Sequence, residues 1–266
     1  MSWLNPFMGL NNVPTPLRVN RSRLKALLWG GICPACGQGM GNTPALTCLD
    51  CALDLRRASK YDGRCLLEDL VWRLPLRDAN TLWMAPPGSV AESLYKALKF
   101  GGKPHLGMPM GVMMAYQRDR WHPPPDLIVP VPLTPKRMWS RGYNQAALLA
   151  HGMANRWGIS SLTHGLRRRD GGLNLAKLGR TERFAQAATD FEQGQRLSSP
   201  VRGSPMLDTS KVLSHDDVQD LRGLHCLLVD DVMTTGATLE QCGKLLVQRG
   251  AELSVMVLAR RLGKKG

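Results

Sequence analysis

Several things are scarce in this chain, and each shortage removes a class of protein. No stretch approaches the ~20 apolar residues of a membrane-spanning helix. Yet 43% of the 266 residues are hydrophobic, enough for an ordinary core. Met1–Leu17 carries Pro14 and Pro16 and no clean apolar run, so it does not read as a secretory leader, and a cytoplasmic location is expected. Acid is in short supply: 21 Asp and Glu against 35 Lys and Arg leave a net charge of +14. Such a balance suits nucleic acid or a highly phosphorylated small molecule as partner, or simply a basic surface. The six histidines show no metal-ligand spacing. Cysteine occurs seven times, an odd number that does not suit a secreted disulfide framework. No internal repeat is visible, and the length fits one large domain with a small one, or two modest ones.

What is present begins with two cysteine pairs, Cys33-x2-Cys36 and Cys48-x2-Cys51. Each pair forms a knuckle whose thiolates can share one metal. Two knuckles supply four soft ligands, and a tetrahedral sulfur set favours structural zinc. Pro34 and Gly37 suit the tight turns. Residues 31–56 are too few to build their own core and need such a staple. A disulfide pair or unconnected thiols is the alternative. Cys65, Cys226 and Cys242 lack partners at ligand spacing and are expected as small buried residues. Ahead of this segment, residues 1–30 form a basic leader, with Arg18, Arg21, Arg23 and Lys25 before the apolar Ala26–Trp29. Behind it, residues 57–78 read as a connector.

From about residue 79 to the end, strands alternate with helices. Thr81–Ala85, Leu127–Val131, Cys226–Val229 and Leu253–Ala259 are expected as buried strands. Ser89 and Glu92 have capping-box spacing, which predicts a helix from 90 to about 99, ended by Gly101 and Gly102. Asn144–Trp157 has Ala146, Leu149, Ala150, Met153 and Trp157 on one helical face. Leu239–Gln248 is a further helix, closed by Gly250, and another is expected around Thr181–Ala188. Residues 192–222, rich in Ser, Gly, Pro and Asp, read as a loop insertion. The pattern predicts a doubly wound, mainly parallel α/β sheet.

The most informative string follows the third of these strands. A buried run delivers Asp230 and Asp231 to its C-terminal end, the edge where open α/β sheets bind ligands. Thr234, Thr235, Gly236, Ala237 and Thr238 then turn into a helix. Small side chains let backbone N–H groups approach an anion, and the helix start adds donors and a favourable dipole. Adjacent carboxylates would repel a phosphate, so they should face ribose hydroxyls or a divalent metal. A second candidate anion site follows Val129-Pro-Val-Pro-Leu133, where Lys136, Arg137 and Arg141 precede Gly142-Tyr-Asn-Gln145. Cations there would stabilise a departing pyrophosphate. Taken alone, that segment is equally well a solvated basic turn.

The string from Asp230 to Thr238 resembles the phosphoribosyl pyrophosphate (PRPP) signature of type I phosphoribosyltransferases. Together with Pro130-Val-Pro-Leu133, Arg137 and Arg141-Gly-Tyr-Asn-Gln145, it resembles the ComF family, a bacterial group associated with natural competence and DNA uptake. Leu94-Tyr-Lys-Ala-Leu-Lys-Phe-Gly-Gly102, Arg167–Arg169 with Gly179-Arg-Thr-Glu-Arg183, and Leu258-Ala-Arg260 are similar to further family segments. The resemblance spans roughly residues 90–190 and 222–261, and the thirty or so residues before the phosphate-loop strand depart from it. It implies a type I phosphoribosyltransferase-like domain behind an N-terminal zinc ribbon. By position, it also implies ribose contacts from Asp230 and Asp231, a 5-phosphate on Thr234, Thr235, Gly236, Ala237 and Thr238, and pyrophosphate on Lys136 and Arg137. Arg167, Arg168 and Arg169 would close over the site, and Mg would accompany PRPP. The implied role is in transformation. An active transferase on an unidentified acceptor, or a zinc-ribbon single-stranded DNA-binding protein, are the alternatives. DNA-uptake or recombination proteins are further candidate partners.

Overall fold

The computed structural model describes residues 31–40, 45–58, 70–116, 124–163, 165–168, 191–193 and 220–262. The basic leader, Cys65, the helix expected around 181–188 and most of the 192–222 insertion lie outside the described residues. The strands are β1 (Leu76–Ala85), β2 (Leu127–Pro130), β3 (Ser160–Ser161), β4 (Leu166–Arg168), β5 (Phe191–Gln193), β6 (His225–Met233) and β7 (Glu252–Arg261). The helices are α1 (Leu49–Ala58), α2 (Val90–Phe100), α3 (Gly107–Ala115), α4 (Pro135–Arg141), α5 (Gln145–Trp157) and α6 (Ala237–Gln248).

Five strands form one sheet in the order β1-β7-β6-β2-β3, parallel throughout. Strand periodicity explains the layering, because successive side chains leave opposite faces of a strand. Leu227 and Val229 of β6, Met256 and Leu258 of β7, Ile128 of β2 and Trp83 of β1 join one core cluster with α2, α3 and α5. Cys226 and Leu228, Val255 and Val257, and Leu127 and Val129 join the other, with Leu239, Cys242 and Leu246 of α6. Both faces are therefore covered, as a parallel sheet requires. Cys226 and Cys242 are fully buried, as expected of small core residues.

The elements differ from the sequence expectation mainly in length. β1 starts at Leu76 rather than Thr81, and β6 runs through both acids to Met233 because β7 pairs with it as far as that residue. Residues 191–193, at the start of the expected loop insertion, pair with β4 as an antiparallel ribbon. Helix α3 was not foreseen, since Gly107, Pro109 and Gly111 look like breakers. Glycines instead permit close approach of α3 and α5: a β-carbon at Gly111 of α3 would collide with the Leu149 carbonyl, and one at Gly152 of α5 with that of Met108. Pro109 lies in the first turn, where its missing N–H costs nothing. The capping box at α2 is shifted by one residue. Ser89 Oγ accepts from Glu92 N at 3.1 Å, while Glu92 reaches back to Gly88 N at 2.7 Å.

Among the described residues, no helix is long and apolar enough to cross a membrane. The cysteine-bearing segment packs on the sheet's helical layer: Leu55 of α1 belongs to the core of α2, α3 and α5, with Ala35, Leu46 and Ala58 against it.

Candidate functional site

A cavity of about 330 Å³ opens at the C-terminal edge of the sheet. Asp230, Asp231, Thr234 and Thr238 line it, with Arg137, Arg141, Asn144 and Gln145 from the second segment. Tyr95, Lys96, Lys99 and Phe100 of α2 complete the wall with Arg168 and Arg261. Two strings separated by some ninety residues of chain thus meet because β2 and β6 are hydrogen-bonded neighbours in register, Val129 beside Leu228 and Pro130 beside Val229.

Asp230 and Asp231 leave β6 on opposite faces. Asp231 shares the face of Leu227 and Val229, toward α2, where Lys99 Nζ stands 3.3 Å from its Oδ2 and 3.5 Å from Oδ1. Asp230 shares the face of Cys226 and Leu228, toward α6. Burial, and then the neighbouring charge of Asp231, push the Asp230 carboxyl well above the usual carboxylate range, against a smaller opposing pull from Lys99. Its Oδ1 accepts from the N–H of Asp231 at 2.8 Å.

The turn into α6 explains its own composition. Gly236 is the N-cap, at φ +77°, and α6 has no side-chain cap, so the first N–H groups of that helix are not taken by a capping side chain. A β-carbon at Gly236 would lie 2.8 Å from Leu70 Cδ2. Thr235 is exposed, and its carbonyl accepts from Arg73 Nη1 at 2.8 Å. Arg73 also stands 3.7 Å from Glu240, which pairs with Lys244 at 2.7 Å. Residues 70–74 therefore brace the loop from outside. Sequence reasoning placed them in a connector, where nothing signalled that part.

The segment Arg141-Gly-Tyr-Asn-Gln145 is a joint between elements. Gly142, at φ +79°, ends α4 in the left-handed region. Tyr143 OH donates to the Leu98 carbonyl of α2 at 2.5 Å. Asn144 caps α5 through Ala146 N and donates from Nδ2 to the Val131 carbonyl, each at 3.0 Å. Gln145 accepts from Arg141 Nη1 at 2.8 Å, and its buried Nε2 has no partner among the described residues, a donor left in the cavity wall. Arg141 stacks on Phe100 at 5.4 Å.

Not every expected residue meets the cavity. Lys136 is exposed and outside the lining, whereas Arg137 and Arg141 belong to it. Consecutive helical residues project about 100° apart, so Arg137 and Arg141, four apart, share a face that Lys136 cannot. Of Arg167, Arg168 and Arg169, Arg168 lines the cavity and Arg169 lies outside the described residues. Thr235 and Ala237 contribute backbone to the loop rather than lining side chains. Lys99 and Arg261 were not singled out, because only tertiary packing brings them to the acids.

The four thiols of Cys33, Cys36, Cys48 and Cys51 lie within 4.8 Å of one another, with Cys36 and Cys48 sulfurs 3.6 Å apart. Burial pushes the Cys33 thiol up, but N–H groups of Cys48, Cys36 and Ala35 outweigh it and bring it to about 6. Burial and the surrounding sulfurs push Cys51 well up. Four sulfurs this close can share one cation, and N–H groups donating to sulfur suit a metal knuckle. The cluster could hold a metal ion.

A phosphoribosyl transferase domain matches residues 192–266, which include β6, the Thr-rich turn, α6 and β7. With the parallel sheet, this defines a phosphoribosyltransferase-type domain. DNA utilization protein YhgH of Salmonella typhi is 30% identical over 248 residues, covering 89% of this chain and 93% of that protein. Competence protein F of Haemophilus influenzae is 27% identical, covering 86% and 90%. Competence protein ComFC of Bacillus subtilis is 25% identical, covering 88% and 79%. The chain belongs to the ComF family.

Proposed function

We propose that this chain binds PRPP with Mg in the cavity and acts in DNA uptake during natural transformation, in the cytoplasm. The observation that carries the reading is convergence: both acids, the Thr-rich turn and the cations Arg137, Arg141, Arg168 and Arg261 border one cavity at the ligand edge of a parallel sheet. Asp230 and Asp231 accept from the ribose hydroxyls. Thr234, Thr238 and the first N–H groups of α6 hold the 5-phosphate, with Thr235, Gly236 and Ala237 supplying the backbone of that turn. Arg137, Arg141 and the spare donor of Gln145 receive the pyrophosphate. Lys136 adds charge only at longer range, and the ribbon carrying Arg167 and Arg168 borders the entrance. When bound, Mg neutralises pyrophosphate charge, and the two carboxylates are the hard oxygen donors it prefers.

If transfer occurs, the bond from ribose C1 to the pyrophosphate oxygen breaks and its electron pair leaves with pyrophosphate. The acceptor then bonds to C1. Such a step needs positioning and charge stabilisation rather than a protein nucleophile. The names of the curated relatives favour a role in DNA handling over nucleotide metabolism. For the cysteine cluster we take zinc as the metal, because a set of four thiolates selects it.

Calorimetric titration with PRPP and Mg tests the ligand reading, beside an Asp230→Asn/Asp231→Asn variant. Micromolar binding that the variant loses supports it; no binding by the intact protein removes it. One observation favours single-stranded DNA as a second partner. Trp139, 92% exposed, shares the outer face of α4 with Lys136, three residues earlier. An aromatic platform beside a cation suits base stacking next to a phosphate.

A further inference from the structure

Lys99 enters the cavity from the last turn of α2, where the helix end favours a cation. Its ammonium is 3.3 Å from Oδ2 and 3.5 Å from Oδ1 of Asp231, and so meets both oxygens of one carboxylate. The Phe100 ring lies 6.0 Å from the same nitrogen. Lys99 is 27% exposed and Asp231 only 9%, so water screens the pair weakly on the acid's side. The neighbouring cation on α2, Lys96, is engaged elsewhere, 2.9 Å from Glu92. The acid pair of this site thus carries a counter-charge that belongs to the chain itself.

We propose that Lys99 is a resident cation of the acid pair. Resting on the PRPP reading above, the inference is that Lys99 supplies beside Asp231 part of the charge a divalent metal supplies, so that ligand binding depends less on metal. The geometry supports this over a purely structural ion pair. Lys99 borders the cavity instead of lying behind it, and α2 needs no such pair for its own hold on the sheet. Leu94 and Leu98 are already fully buried there, and Tyr143 ties the helix to the α4–α5 joint.

The test is PRPP titration of the full chain, with saturating Mg and in Mg-free buffer made without chelator, so that the cysteine cluster keeps its metal. Wild type, Lys99→Met and Lys99→Arg are compared, with thermal melting as a folding check. The expectation is that the wild type loses less than about tenfold in affinity without Mg. Lys99→Met should lose at least about tenfold more than that, the scale of one charged hydrogen bond. With saturating Mg it should bind within a few-fold of wild type, and Lys99→Arg should restore Mg-free binding. Equal weakening of Lys99→Met under both conditions overturns the proposal, as does tighter Mg-dependent binding, which would make Lys99 a competitor of the metal. Should Lys99→Met fail to fold, the wild type decides: complete loss of binding without Mg overturns the proposal by itself. Absence of wild-type binding even with Mg removes the PRPP reading and this inference together.

Discussion

The cysteine cluster and the cavity both gather groups that repel one another, but they recruit them over very different spans of chain. The cluster takes its four sulfurs from one short segment and closes them over a few ångströms. The cavity takes its lining from Tyr95 to Arg261, and only the register of β2, β6 and β7 assembles it. If the cluster holds an ion, its local geometry should depend on it, because nothing else would keep four sulfurs so close. A cavity built on a parallel sheet stands on the core beneath it, so its charged residues are free to be suboptimal for stability. The two regions should therefore respond oppositely to the loss of a charged group.

The largest effect is expected at the cluster. Structural zinc contributes about 10 kcal/mol or more to folding small metal domains. Chelation, or Cys51→Ser, should unfold residues 31–58 and expose Leu55, which belongs to the sheet's core. Metal analysis should give one zinc per chain before treatment, and hydrogen exchange should show protection lost in that segment. Intact protection after complete metal removal would erase the contrast between the two regions. At the cavity, Asp230→Asn/Asp231→Asn should weaken PRPP by about tenfold or more, since the ion-paired carboxylate of Asp231 is lost as an acceptor, a charged hydrogen bond worth roughly 1.5–3 kcal/mol. The fold should survive, and circular dichroism should not change.

Two glycines allow a sharper comparison within the cavity region. Gly236 and Gly142 have nearly the same backbone, at φ +77° and +79°. A β-carbon at Gly142 meets nothing within 4 Å, whereas at Gly236 it would meet Leu70 at 2.8 Å. Gly142→Ala should cost about 1–2 kcal/mol for the left-handed conformation alone. Gly236→Ala should cost roughly 1–3 kcal/mol more for overpacking, and should weaken ligand binding. Equal chemical-denaturation midpoints would mean that Leu70 yields freely and does not brace the loop.

Asp230 is where stability and function should part. Its folded-state pKa is raised above the ordinary 3.8, so the folded chain holds this proton more tightly than the unfolded chain does. Stability from this group is full below that ordinary value and is lost as pH rises through the raised one. Asp230→Asn keeps an oxygen for the N–H of Asp231 and cannot ionise. It should melt higher than wild type near neutral pH, and the gap should close as pH falls toward about 4. A gap that does not vary with pH would mean that Asp230 is not held protonated by burial.

Much of this was legible in the sequence. Short continuous apolar runs located all four strands expected at 81–85, 127–131, 226–229 and 253–259, because each carries its apolar residues to two covered faces. Their ends were hidden by polar residues inside strands: Asp78 and Asn80 in β1, and Asp230 and Asp231 in β6. Helix α3 was hidden by glycines that close packing on α5 requires: Gly111 faces the Leu149 carbonyl and Gly107 the Leu148 side chain. The cysteine cluster could be read from spacing alone, since its geometry is local. Lys99 could not, because nothing in Leu94–Gly102 says which of its two lysines turns toward Asp231 and which toward Glu92. Nor could the split between Lys136 and Arg137, which follows from a helix that the sequence reading had not drawn.

That split yields the smallest expected effect and the cleanest separation. Helix α4 has no buried residue, so its two faces can be altered independently. Arg137 and Arg141 face the cavity, while Lys136 and Trp139 share the outer side. Trp139→Ala should change stability by no more than about 0.5 kcal/mol, as for an exposed surface position. PRPP affinity should not change, because Trp139 is outside the lining. Affinity for a single-stranded oligonucleotide should fall about five- to a hundredfold, the loss of one stacked base. Binding by the wild type should weaken steeply with salt, because phosphates are neutralised at the same time. If Trp139→Ala binds the oligonucleotide as wild type does, DNA does not use the outer face of α4. If it loses PRPP as well, the two faces are coupled, and the cavity and the outer surface form one site.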